Sequence, residues 1–489
     1  MNTVTNKFIV LFALLWYSAT AFFSIGYFHP DEHYQIIEFS QVIDREIDVA
    51  SLPWEFRDKI RPSVQPTLCN LIFKACDTIY IDSHYTKTFV LRLLTGIFAV
   101  FVISFFFEAS KNLVKEQYRT WYLIISYFLW FLPFLNVRFS SETWAGLFLL
   151  LSVSLVLQRR TSLISFLLIG IILGLVFEFR FQAGIASAGL ILWLIWVQKE
   201  HLKHILMIGI GGLMAIMACT LLDFWFYDAW VFTPLQYMMA FANEAAKFDE
   251  SPWFEYFKYI LGYSFWPFGV LILASYLVLI FRNPKSLFIW ISLPFLLVHS
   301  CIGHKELRFL FPLINFIPIV CFLAFQEAKE FKPNKSFTSI LKVSGYLLLF
   351  INGIAIVVAS LKPADIGRMS ITKQIFDLKP TKPINLIAFE GSNPFDPYNF
   401  LVANFYMVQD ISFRNLNQLN DLDSTWIDNE KQTFLVLKTK DAIKDETQKL
   451  LNHLRFKKLG QSVPEPFMPL LKLYGHFPEK EVLIVYGIE

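Results

Sequence analysis

The stretch Tyr27-Phe28-His29-Pro30-Asp31-Glu32-His33-Tyr34-Gln35-Ile36-Ile37-Glu38-Phe39 sets three acids and two histidines directly after an apolar run, Phe8 to Ile25. Pro30 suits the first turn of a helix, and Asp31 and Glu32 suit its N-terminus, where the helix dipole favours negative charge. Two readings stay open at this point. The acids cap a helix beside the membrane, or Asp31 is a carboxylate that takes a proton where the membrane meets water. Tyr34, Ile37 and Phe39 give the next turns an amphipathic pattern suited to lying in the interface.

Outward from this stretch the chain is apolar. Hydrophobic residues make up 55% of its 489 positions and charged residues 17%, with 53 phenylalanines. A soluble domain carries about a quarter charged residues, so the composition points to an integral membrane protein. The net charge of +3 and the lack of a polybasic run give no basis for nucleic-acid binding. The five cysteines form no CxxC pair and read as small apolar residues.

A hydrocarbon span needs about 20 mainly apolar residues. Candidate spans lie near 8–27, 88–108, 119–137, 143–158, 162–179, 182–198, 203–222, 257–281, 287–303, 308–326 and 338–360, eleven in all. The apolar but short stretch 66–81 reads as a non-spanning helix within a first external loop, 28–87. With eleven spans, Lys111, Lys115, Arg119, Arg159, Lys199, Lys203, Arg282, Lys285 and Lys329 all fall on the side of the N-terminus, which the positive-inside rule makes cytoplasmic. The opposite rim then collects residues 29–32, 138–142, 178–182, 223–230 and 304–308. Ionisable groups at that depth are costly unless paired or functional.

After Leu361 the composition turns mixed. Apolar β-like runs at 384–389, 434–437 and 482–486, with an amphipathic helix near 440–455, suggest a small α/β soluble domain over 361–489. Residues 1–360 form the transmembrane domain.

The rim clusters admit functional and plain readings. His304 and Arg308 are four apart and share one face if the segment is helical. With Lys305 they would bind a lipid phosphate and stabilise charge on its oxygens, or they would simply pair with Glu306. Arg138 and Glu142 are also four apart. Arg180 sits beside Glu178 and Gln182. Asp223, Tyr227 and Trp230 belong to an aromatic-rich loop that would line a sugar or lipid site or sit in an interfacial belt. Asp421-Leu422-Asp423 reads as a solvated turn rather than a metal site. No P-loop, GxGxxG or zinc-spaced set is present.

His29-Pro30-Asp31-Glu32 with Tyr34-Gln35 resembles the signature of the lipid-phosphate-mannose-dependent α-mannosyltransferases, glycosyltransferase family 22. His304-Lys305-Glu306-Leu307-Arg308-Phe309 is similar to that family's His-Lys-Glu-Glu-Arg-Phe motif, with Leu307 where Glu is usual. Arg61 to Pro66, Arg138 to Glu142, and Asp223 to Trp230 followed by Thr233-Pro234 resemble further family segments, in order, over about 1–325. The resemblance implies a GT-C fold with about eleven transmembrane helices and a polyprenyl-phosphate mannose donor on an undecaprenyl or dolichyl lipid. It implies no metal or other cofactor, and inversion at the sugar carbon. Asp31 would be the base and Glu32 a second acid. His304, Lys305 and Arg308 would bind the donor phosphate. His29, Gln35, Arg138, Glu142, Arg180, Asp223, Tyr227 and Trp230 would contact substrate.

The expectation is therefore a multi-pass membrane mannosyltransferase acting on a glycan or glycolipid acceptor. It would sit in a bacterial inner membrane with its active site external, or in the endoplasmic reticulum. A flippase for lipid-linked sugars, or an enzyme using a different lipid-phosphate sugar, are the alternatives. A flippase needs polar groups through the membrane depth and access from both sides. Here the charges gather on one rim.

Overall fold

The computed structural model describes residues 3–45, 47–159, 161–244, 250–329, 335–396, 398, 401–407, 410–428, 430–475 and 477–488. Five helical stretches among them are long and apolar enough to cross a membrane: Thr5–Phe23, His84–Leu113, Leu202–Tyr227, Leu307–Lys329 and Val343–Leu361. Trp266–Arg282 and Leu287–Cys301 pass the same test together but meet at 117°. Ser141–Leu157, Leu163–Phe179 and Phe181–Trp196 are shorter apolar helices.

The eleven expected spans are thus not eleven unbroken helices. The span expected at 119–137 is Arg119–Phe128 followed by Leu132–Asn136, and Leu129 between them is extended. That at 257–281 is Glu255–Tyr263 followed by Trp266–Arg282. Proline explains both breaks. Pro133 and Pro267 stand four residues beyond Leu129 and Tyr263, so each ring would meet the carbonyl at that position.

The chain divides into two compact units. The first comprises residues 1–20, 58–65 and 92–360. Its helices pack at small residues. A Cβ on Gly170 would lie 2.1 Å from the carbonyl oxygen of Ile208, and one on Gly189 2.1 Å from that of Trp290. Such close approach is how helices associate where lipid is as apolar as they are. Serine caps begin two helices: Ser140 accepts from Thr143 N–H, and Ser162 from Ser165 N–H.

The second unit comprises 21–57, 66–91 and 361–489. It holds a five-stranded sheet, β1 (Ile384–Phe389), β2 (Ile411–Leu416), β3 (Gln432–Lys438), β4 (Phe456–Gln461) and β5 (Leu483–Ile488), in the order β2-β1-β3-β5-β4. β1 runs parallel to β2 and β3, and β5 antiparallel to β3 and β4. All six β1 residues are buried, Asn385 among them with its amide donating to Trp426 O, as expected of a strand covered on both faces. The edge strands carry the polar residues, Arg414 and Asn415 on β2, Lys457 and Lys458 on β4. The helix expected at 66–81 is present at Val64–Thr78. The expected amphipathic helix near 440–455 is Thr439–Ala442 and Asp445–His453.

Candidate functional site

Within the second unit, His29 ends the extended approach and its Nδ1 accepts from the Asp31 N–H at 3.2 Å. Pro30–Glu32 forms a helical turn behind this cap. The Asp31 carboxylate lies 3.5 Å from His29 Nδ1 and remains partly exposed. Glu32 is buried and turns back to accept from the Phe28 N–H at 3.3 Å. Tyr398 stands close enough to feel Asp31: burial pushes its phenol up, Arg368 opposes, and Asp365 and Asp31 add to the rise.

His33–Glu38 then winds as a π-turn. Its five-residue spacing stacks His33 over Glu38, with Nε2 2.8 Å from Oε1. Residues 32–34 and 36–41 are all buried, so the amphipathic face expected at Tyr34, Ile37 and Phe39 is an interior one. The reason lies in this unit's own C-terminal segment. Tyr34 O–H donates to Leu401 O at 2.8 Å, and the Phe405 N–H donates to Glu38 Oε1 at 3.0 Å. Burial pushes the Tyr34 phenol up, so it stays a neutral donor. Gln35 donates to Glu55 at 3.1 Å.

In the first unit a buried charge cluster gathers residues from three distant motifs. Glu142, in the first turn after the Ser140 cap, places Oε1 3.0 Å from Arg308 Nη1 and 3.3 Å from Arg180 Nη1. Both guanidinium groups also lie over the Phe309 ring. Arg308 grips Glu306 with two nitrogens, and His304 Nε2 is 2.9 Å from Glu306 Oε1. His304 precedes the 3-10 run Leu307–Phe316, so it does not share an α-helical face with Arg308. Glu306 joins them instead. Lys305 is buried and donates to the carbonyls of Ser251, Ile302 and Gly303. Arg138 is 1% exposed, with its guanidinium over Phe134.

The aromatic-rich segment does two things. Asp223 Oδ1 accepts from Ser63 N–H and Oγ–H at 2.7 and 2.6 Å, and Oδ2 accepts from Thr233 Oγ1 at 2.7 Å. Tyr227 O–H donates to Arg61 O at 2.7 Å. Asp223 and Tyr227 therefore fasten residues 61–63. Trp230 is exposed and stacks on Phe224.

In the sequence Glu38 and Ser63 have no role of their own, Tyr34 only a place on an amphipathic face, and Glu306 only the part of a plain ion-pair partner. Glu306 and Ser63 lie inside quoted motifs. The five-residue step from His33 to Glu38 carries meaning only in a π-turn. Among the described residues no group of three or more His, Cys, Asp or Glu is arranged to hold a metal ion.

The sequence profile of the Alg9-like mannosyltransferase family matches residues 8–387. The chain is similar to Mannosyltransferase APTG1 of Arabidopsis thaliana, 26% identical over 68% of this chain and 61% of that one. It is also similar to GPI alpha-1,2-mannosyltransferase 3 of Bos taurus, 22% identical over 71% and 64%. The matches thus span about three fifths of those relatives' length. Among solved structures, ArnT from Cupriavidus metallidurans bound to undecaprenyl phosphate superposes with a TM-score of 0.55 at 10% identity, covering 99% of this chain and 98% of that one. The fold is the expected GT-C fold.

Proposed function

Because this chain belongs to the Alg9-like mannosyltransferase family, we propose that it transfers mannose from a polyprenyl-phosphate mannose to a hydroxyl of a glycan or glycolipid, with inversion. The observation that carries this is the state of the motif's acids. Glu32 and Glu38 are buried, whereas Asp31 stays partly exposed on a capped helical turn.

In this reading Asp31 takes the proton from the acceptor hydroxyl as its oxygen attacks the anomeric carbon. The bond to the lipid phosphate breaks on the opposite face, and a single displacement inverts the centre. Arg308, His304 and Lys305 bind the leaving phosphate. Their charges are matched at rest by Glu306, Glu142 and backbone carbonyls, so phosphate binding exchanges those partners for phosphate oxygens. Exchange of one charge-assisted bond for another keeps the net cost small. No step uses a metal or cofactor. The polar rim and residues 361–489 face the external side of the membrane, periplasm or lumen, as the charge distribution of the sequence favours. GPI alpha-1,2-mannosyltransferase 3 of Bos taurus and undecaprenyl-phosphate-bound ArnT support a lipid-linked donor and a glycan acceptor as classes.

The test is reconstitution of the full chain with labelled polyprenyl-phosphate mannose and a panel of donors and acceptors. Mannose transferred to an acceptor supports the reading. Translocation of the lipid without transfer supports a flippase, and transfer from another lipid-phosphate sugar alone moves the donor assignment.

A further inference from the structure

We propose that His33, Glu38 and Tyr34 are positioning residues, a clamp through which the segment 401–406 fixes the Asp31 carboxylate. The inference rests on the reading of Asp31 as the base.

His33 is fully buried and Glu38 is 1% exposed. A buried ionisable pair is costly unless it serves geometry or chemistry. The His33 ring lies between Tyr27 and Tyr406, each stacked on it with centroids 5.3 Å away. Its Nε2 meets Glu38 Oε1, which also receives the Phe405 N–H. Among the described residues neither His33 Nδ1 nor Glu38 Oε2 has a hydrogen-bond partner. The pair is therefore oriented by one mutual bond, one backbone N–H, the stacked rings of Tyr27 and Tyr406 and the Tyr34 ring edge-on at 4.9 Å. Tyr34 adds a second tie, to Leu401 O.

The π-turn makes this possible. A π-turn sets residues five apart over each other and is commonly found at functional sites. An α-helix would turn Glu38 away from His33. Asp31 enters this turn without a break, since His33 N–H bonds Pro30 O. Rotation of the π-turn about its axis would swing Asp31 with it. The ties at Leu401 and Phe405 oppose that rotation. The C-terminal segment thereby acquires a role in the reaction without touching substrate.

The experiment measures transfer by the full-length enzyme in His33→Phe, Glu38→Ala, Glu38→Gln, Tyr34→Phe and Asp31→Asn, and in Glu38→Ala combined with Asp31→Asn. Misplacing a reacting group by about 1 Å costs on the order of 100-fold. We expect His33→Phe and Glu38→Ala to lower kcat by about 10- to 100-fold with donor KM changed less than about twofold. Glu38→Gln keeps an oxygen for the Phe405 N–H and retains most activity. Tyr34→Phe, which deletes one hydroxyl, carries the test if a larger change prevents folding, and is expected to lower kcat in the same direction. In the Asp31→Asn background, Glu38→Ala adds no further loss, because a positioning residue has nothing left to position. Folded clamp variants with wild-type kcat, or losses confined to KM, overturn the clamp while an inactive Asp31→Asn keeps the base. An active Asp31→Asn overturns both.

Discussion

Arg308 Nη1 lies 3.0 Å from Glu142 Oε1, an ion pair that joins positions 166 residues apart in the chain. The same oxygen takes Arg180, and both guanidinium side chains are less than a tenth exposed. Arg308 keeps Glu306, so loss of Glu142 strands the charge of Arg180, and removing one partner of a buried pair costs about 3–5 kcal/mol. Glu142→Ala should therefore lower unfolding stability by that order, and Glu142→Gln by less. Equilibrium unfolding in detergent checks this. A stability loss within error for Glu142→Ala would show that the pair is dispensable.

Asp223 predicts a local effect. It accepts three hydrogen bonds, two of them from Ser63. Asp223→Ala leaves the Ser63 and Thr233 donors unsatisfied, at about 1–3 kcal/mol for each buried orphan. Limited proteolysis within 58–65 should accelerate relative to wild type. Unchanged cleavage at that segment contradicts the assignment of Asp223 as its fastener.

Gly189 and Gly209 make a contrasting pair. A Cβ on Gly189 would collide with Trp290 O, whereas one on Gly209 meets nothing within 4 Å. Gly189→Ala forces the two backbones apart, and overpacking of this kind costs about 1–3 kcal/mol. Gly209→Ala places a better helix former in open space and should be neutral or stabilising by up to about 1 kcal/mol. Thermal melting of both variants reads the difference, and equal shifts would refute it.

Asp44 gives a pH dependence outside the membrane spans. Burial pushes its carboxyl up, but hydrogen bonds from Lys74 and Asn70 and the Lys74 charge outweigh it and hold the pKa below the ordinary 3.8. The folded pKa lies below the unfolded one. The group's contribution is thus fully present above pH 3.8 and is lost as pH falls through the lower, folded value. Asp44→Asn should lower stability at neutral pH and leave it little altered below the folded pKa, which flattens the acid limb of the stability profile below about pH 4. A wild-type acid limb in that variant would contradict the shift.

Much of the fold was legible because burial leaves a pattern. The mainly apolar runs within β1, β3 and β5 stand out in the sequence. β2 and β4 do not, since Arg414, Asn415, Lys457 and Lys458 give edge strands a loop-like composition. The broken spans were signalled by Pro133 and Pro267, which hydropathy averaging passes over. The rim clusters stand out by charge, and Glu306 as a local partner with them, but the joining of Glu142 to Arg180 and Arg308 does not. The Glu306 link from His304 to Arg308 needs a non-helical turn that a four-residue count cannot see. The inward face of 34–39 was hidden because what covers it, Leu401 to Phe405, is more than 360 positions away.

Transfer by the Asp31→Asn enzyme tests the account most directly. Purified full-length protein, confirmed folded by its melting temperature, is supplied with labelled polyprenyl-phosphate mannose and an acceptor that the wild type uses. Loss of a general base costs roughly 100- to 10,000-fold, so kcat should fall by that order while donor binding persists. Transfer at near wild-type rate by folded Asp31→Asn would contradict the assignment of Asp31 as the base.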